Sequence, residues 1–119
     1  MNIEQFREYC LAKKGVIEEL PFGPDTLVFK VMNKMFALTS LDTEDFRVNL
    51  KADPEKAIQQ REEFDFIKPG YHMNKQHWNS IYVEQGIKDA YFKELVDDSY
   101  NLIVESLPKK VKEEMQNLE

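Results

Sequence analysis

TLVFKV (Thr26–Val31), KMFALTS (Lys34–Ser40) and DFRVNLKA (Asp45–Ala52) follow one another with only short polar breaks between them. Each run is rich in β-branched and aromatic residues, which suit a pleated, half-buried surface, and the spacing predicts an antiparallel meander. In the third run Phe46, Val48 and Leu50 alternate with Arg47, Asn49 and Lys51, so the apolar set faces a core and the basic set the opposite surface. Lys30, between Phe29 and Val31, joins that outer surface.

Helices flank this meander. Upstream, Asn2 and Gln5 have the form of a capping box, and Ile3, Phe6, Cys10 and Leu11 recur at helical spacing until Lys13, Lys14 and Gly15. Val16–Leu20 reads as a further strand, and PFGPD (Pro21–Asp25) as a structured turn. Downstream, Asp53 is an N-cap with Pro54 at the first helical position, opening a helix to about Phe64 whose outer face carries Lys56, Arg61 and Glu62. Asp89 is expected to cap the long final helix, with Phe92, Leu95, Val96, Ser99 and Ile103 as its inward stripe, and Pro108 to break it before a last charged turn or two. The expected architecture is a single α+β domain over residues 1–119. It has two layers, with helices packed on one face of an antiparallel sheet, in the order helix, three or four strands, helix, two strands, helix.

Between the second and third helices lies PGYHMNKQHWNSI (Pro69–Ile81), which holds both histidines and the only tryptophan, within a span from Phe66 to Val83 that has no carboxylate. The whole chain carries 22 acidic against 16 Lys and Arg residues, a net charge of −6, so this window is a local exception. KPGY is expected to form a type II turn with Pro69 and Gly70 at its centre. A two-residue hairpin turn at Asn74-Lys75 would set Tyr71 opposite Trp78 and His72 opposite His77. These side chains either fill a corner of the fold or meet a partner, and packing is the favoured reading, with Trp78 in the core.

Composition narrows the chemistry. The 119 residues, 42% hydrophobic with eight Phe and five Tyr, suffice for one core without metals or disulfides. Cys10 has no partner cysteine and falls on an apolar helical stripe, so it is expected as a buried thiol and not a nucleophile. No metal or cofactor is expected, since His72 and His77 lack Cys, Asp or Glu ligands nearby. Asp97 and Asp98 diverge by about 100° on a helix and do not form an acid/base pair, and Ser99 is expected to bond a carbonyl. No apolar run reaches membrane-spanning length, the first residues lack the features of a signal peptide, and a cytoplasmic protein is expected, without membrane contact.

PFG, FKV with KMFAL, VNLKADPE, PGYHMNKQHWNSI and DDSYNLIVESLPKK, in that order from about Phe6 to Lys110, resemble the MmcQ/YjbR family. The resemblance implies the YjbR-like, CyaY-like fold, related to the secretion-chaperone arrangement, with no catalytic residue to carry over. It also implies DNA binding through a proposed double wing of hairpins. Residues matching the family pattern are Lys30, Lys34, Asn49, Lys51, Pro69, Tyr71, Met73, Asn74, Lys75, His77, Trp78, Ser99 and Tyr100. Asp42, Glu44 and Asp45 would place negative charge on one wing and confine contact to the other.

The first expectation is therefore a non-enzymatic domain binding DNA through Lys30, Lys34, Arg47, Lys51, Lys68, Lys75 and His77, beside the cluster Pro69, Tyr71, His72, Met73, Asn74 and Trp78. A module acting on a protein partner or as a homodimer through the sheet face is the alternative. A small-molecule or enzymatic pocket at Tyr71, His72 and His77 is the third.

Overall fold

The structure, a computed structural model, describes residues 1–118. Helix α1 (Ile3–Leu11) is followed by strands β1 (Val16–Glu19), β2 (Thr26–Val31), β3 (Lys34–Ser40) and β4 (Arg47–Lys51). Helix α2 (Pro54–Glu63), strands β5 (Ile67–Pro69) and β6 (Trp78–Tyr82) and helices α3 (Asp89–Ser106) and α4 (Lys109–Gln116) complete the chain. The six strands form one antiparallel sheet in the order β1-β2-β3-β4-β6-β5. This is the expected α+β arrangement.

Local chemistry sets the boundaries. Asn2 and Gln5 form the capping box of α1, and Asp53 accepts the Glu55 N–H with Pro54 as the first residue of α2. β2 and β3 are joined by two residues, Met32 and Asn33, both at positive φ (47° and 70°), the handedness that a tight hairpin between right-twisted strands requires. Phe36 is skipped by the β2–β3 register, which pairs Phe29 with Ala37 and then Lys30 with Met35. The bulge puts Phe36 on the same face as Ala37 and adds a ring to the core.

That core lies between the sheet and the helices. Phe6 of α1 meets Phe29 edge-on at 5.4 Å and Phe92 of α3 at 5.7 Å, while Val48, Leu50, Ile67 and Ile81 close the floor. The stripe Phe92, Leu95, Val96, Ser99 and Ile103 is buried throughout. Cys10 is fully buried among these groups, and burial pushes its thiol up to about 12. Asp97 turns toward α1, where it accepts the Tyr9 hydroxyl at 2.7 Å and pairs with Lys13, so it does not face Asp98.

Three local expectations are corrected. Lys88, not Asp89, is the N-cap of α3, and Asp89 is the first helical residue, its carboxylate favourable in the first turn. Gly70 does not take the positive φ of a type II turn. The left-handed residue is His72, at φ 59°, in a turn closed by the Met73 N–H to the Gly70 carbonyl. There is no two-residue hairpin at Asn74-Lys75 either: the β5–β6 register ends at Pro69 with Asn79, so Tyr71 does not oppose Trp78 nor His72 His77.

Candidate functional site

The loop Gly70–His77 replaces that hairpin, and its course follows from four residues. Gly70 donates its N–H to the Trp78 carbonyl at 2.9 Å, and an added Cβ would come within 2.8 Å of the Trp78 Cβ and carbonyl oxygen. Glycine is needed here for close approach, not for handedness. Asn74 bonds the Gln76 N–H through its side chain, and its carbonyl accepts the His77 and Trp78 N–H groups, which folds the second half of the loop. Arg61 of α2 donates to the Lys75 carbonyl at 2.8 Å and holds the outer end, so it is not simply a solvated residue of the helix face.

Tyr71 fixes the middle of the loop to the sheet face opposite the helices. Its N–H donates to Ser80 Oγ at 2.9 Å and its carbonyl accepts Asn49 Nδ2 at 3.2 Å, while Ser80 Oγ donates to Asn49 Oδ1. With both backbone groups engaged, the ring stays half-exposed above Arg47, whose guanidinium carbon lies 4.3 Å from its centre, and the His72 ring sits 4.1 Å away. Met73 packs against a second apolar cluster, Val28, Leu38 and Trp78, joined by Met35. Trp78 is 8% exposed, consistent with the packing reading.

A cleft of about 310 Å³ opens beside this clamp. Met35, Leu38 and Met73 give it apolar character, Arg47, Tyr71 and His72 edge it, and Phe22, 66% exposed, stands in the turn after β1. The structure therefore brings Arg47, Asn49, Tyr71, His72 and Met73 together, while His77 is half-buried elsewhere and does not line the cleft.

Register places the remaining basic residues. Lys51 lies opposite Trp78 and Lys68 opposite Ser80, so both alternate onto the same face as Arg47 and Asn49. Lys34 belongs to the end of the sheet where β4 finishes and β6 begins, the end that also holds Lys75 and His77. Asp42, Glu44 and Asp45 lie in the β3–β4 connection at the other end of the strands, so opposite charges are separated along the sheet. Lys30 is paired with Glu19 at 2.8 Å. Among the described residues Arg47, Lys51, Lys68 and Lys75 make no ion pair.

Phe22, Ser80 and Asn79 escaped the sequence reading. For the last two the signal was a polar pair between Trp78 and Ile81 in an apolar strand. β6 is covered on both faces, so each polar side chain there must find a hydrogen-bond partner. Ser80 bonds the loop, and Asn79 bonds α2 through Nδ2 to the Ala57 carbonyl and Gln60 Oε1, both at 3.1 Å. Among the described residues there is no group of three or more His, Cys, Asp or Glu placed to hold a metal, and no helix long and apolar enough to cross a membrane.

The arrangement has known counterparts. The YbdF protein of Escherichia coli O157:H7, itself uncharacterized, is 44% identical over 90 residues, covering 76% of this chain and 74% of the relative. The uncharacterized YjbR protein of Escherichia coli K12 is 32% identical over 108 residues, covering 91% and 92%. Among solved structures, Deinococcus radiodurans DR2400, with a DUF419 domain, superposes with a TM-score of 0.91 at 31% identity, covering 97% of this chain and 88% of that one. A Pseudomonas syringae protein gives 0.75 at 28% identity, covering 86% and 98%. The YjbR family model matches residues 11–102, and with that agreement of sequence and fold the chain belongs to the YjbR family.

Proposed function

We propose that this protein is a non-enzymatic binding domain that holds nucleic acid across the open sheet face and the Gly70–His77 loop. The observation that carries the reading is the alternation of Arg47, Lys51 and Lys68 onto one face, without carboxylate partners among the described residues, next to the exposed ring of Tyr71. Unpaired cations bind phosphates and release counterions, and an aromatic ring presents a stacking surface to a base. The cleft between Phe22 and Tyr71 has room for one unstacked base, with apolar contacts from Leu38 and Met35 and donors from Arg47. Lys34, Lys75 and His77 extend the basic surface at one end, and the acidic β3–β4 connection limits it at the other. Cys10, sealed in the core with a raised thiol pKa, supplies no nucleophile to this face.

Fluorescence anisotropy of labelled mixed-sequence DNA, as single strand and as duplex, at low and then raised salt, tests the proposal. Salt-sensitive binding is expected, with the single strand tighter, since only it offers free bases. The triple variant Lys51→Ala/Lys68→Ala/Lys75→Ala should weaken binding to every sequence and flatten the salt dependence, by roughly 0.9 in logarithmic slope for each duplex phosphate that is no longer neutralised. Absence of binding by either form at low salt would overturn the assignment.

A further inference from the structure

The opposite side of the sheet carries a second, independent cleft. α2 packs on β5 and β6, and α3 on β2, β3 and β4, leaving between the two helices an opening of about 270 Å³ floored by Leu50, Asn79 and Ile81. Asn79 is 1% exposed, and its Oδ1 has no donor among the described residues. Its amide orientation is fixed, because Nδ2 donates to the Ala57 carbonyl, which can only accept. The planar group thus turns its oxygen away from α2. A buried acceptor left without a donor costs as much as a lost hydrogen bond, so a partner for it belongs in this cleft.

The walls differ in charge. Lys56 stands on α2, beside Asp53, whose carboxylate is engaged in capping that helix, and Asp98 and Glu105, two turns apart and so on one face of α3, stand across from it. Among the described residues none of Lys56, Asp98 and Glu105 is in an ion pair. Facing charges of opposite sign that do not pair leave room for a ligand that carries both signs.

We propose that the α2–α3 cleft binds a small zwitterion of the α-amino acid class. Its ammonium lies toward Asp98 and Glu105, its carboxylate toward Lys56, its side chain over Leu50 and Ile81, and an N–H donates to Asn79 Oδ1. Half-buried Gln60, on the rim, keeps its bond from Asn79 Nδ2 and holds the amide in that orientation. The volume suits a single amino acid and is below that of pockets for larger ligands.

Two-dimensional ¹H–¹⁵N NMR of the full chain, titrated with each standard L-α-amino acid at millimolar concentration, tests this. A saturable shift of the Asn79 side-chain amide and of the Lys56, Asp98 and Glu105 backbone amides is expected for at least one of them. The matching decarboxylated amine and deaminated acid should each bind at least tenfold more weakly. Lys56→Gln and Asp98→Asn, both at exposed positions, should leave the spectrum folded and weaken binding by a similar factor. No saturable shift with any amino acid, or equal binding of the amine or by either variant, would overturn the proposal.

Discussion

Lys51 donates its backbone N–H to the Ser99 hydroxyl at 2.9 Å, and that hydroxyl donates in turn to the Phe36 carbonyl at 2.6 Å. The β3–β4 register pairs Ala37 with Leu50, so Phe36 and Lys51 would form the next position of the ladder. A side chain of α3 is therefore built into the sheet where the Phe36 bulge opens it. Ser99→Ala leaves a buried donor and acceptor apart, and should cost about 2–4 kcal/mol in urea unfolding. A loss below about 1 kcal/mol would mean that the strands close directly without the hydroxyl.

Gly70 and Gly86 separate two reasons for a glycine. At Gly70 a methyl group would collide with backbone and Cβ atoms of Trp78 that have no freedom to yield, whereas Gly86, at φ 107°, has open space around it. Gly70→Ala should therefore lose about 2–3 kcal/mol by overpacking, against about 1 kcal/mol for Gly86→Ala, where only the backbone conformation resists. Equal losses in chemical denaturation would remove the close approach as the explanation.

Trp78 and Tyr71 divide the loop between packing and exposure. Trp78→Ala removes the largest member of the open-face cluster and should destabilise the fold by roughly 3–5 kcal/mol. Amide exchange in the Gly70–His77 segment should also accelerate, since Met73 packs against that cluster. Tyr71→Ala keeps both backbone bonds to Ser80 and Asn49 and should change stability by less than about 1 kcal/mol while weakening nucleic-acid binding. A stability loss as large as that of Trp78→Ala would reassign Tyr71 to packing.

The contrast between these two residues also shows what the sequence discloses. The alternation of Phe46, Val48 and Leu50 and the stripe on α3 marked out the sheet, its inner face and the long helix, because burial on one side imposes a period. The capping box at Asn2 and the Asp53-Pro54 start were legible for a different, local reason, because a cap is made by residues within three positions of one another. The course of Gly70–His77 was not, because Gly70 answers to Trp78, eight positions later in the chain, and positive φ fell on a histidine. Asn49, Ser80 and Tyr71 meet only after β4, β6 and the loop are assembled, so no spacing encodes their clamp. The cleft near Asn79 likewise depends on α2 and α3 standing apart.

Alkaline pH should unfold the protein through its buried acids. Burial raises the Cys10 thiol from 9.0 to about 12, and burial with the Asp97 hydrogen bond raises Tyr9 from 10.0 to about 12, while Tyr91 and Tyr100 shift in the same direction. Between the unfolded and folded values the unfolded chain has released protons that the folded chain keeps, so stability falls as pH rises. Their contribution is complete below about pH 9 and is lost progressively toward pH 12. Urea midpoints measured across that range should decline from about pH 9 in the native sequence. In Cys10→Ala, which starts lower by about 1 kcal/mol through lost packing, the decline should begin nearer pH 10, where the tyrosines take over. Identical slopes between pH 9 and 10 in the two proteins would show that the thiol is not the group whose proton the fold retains.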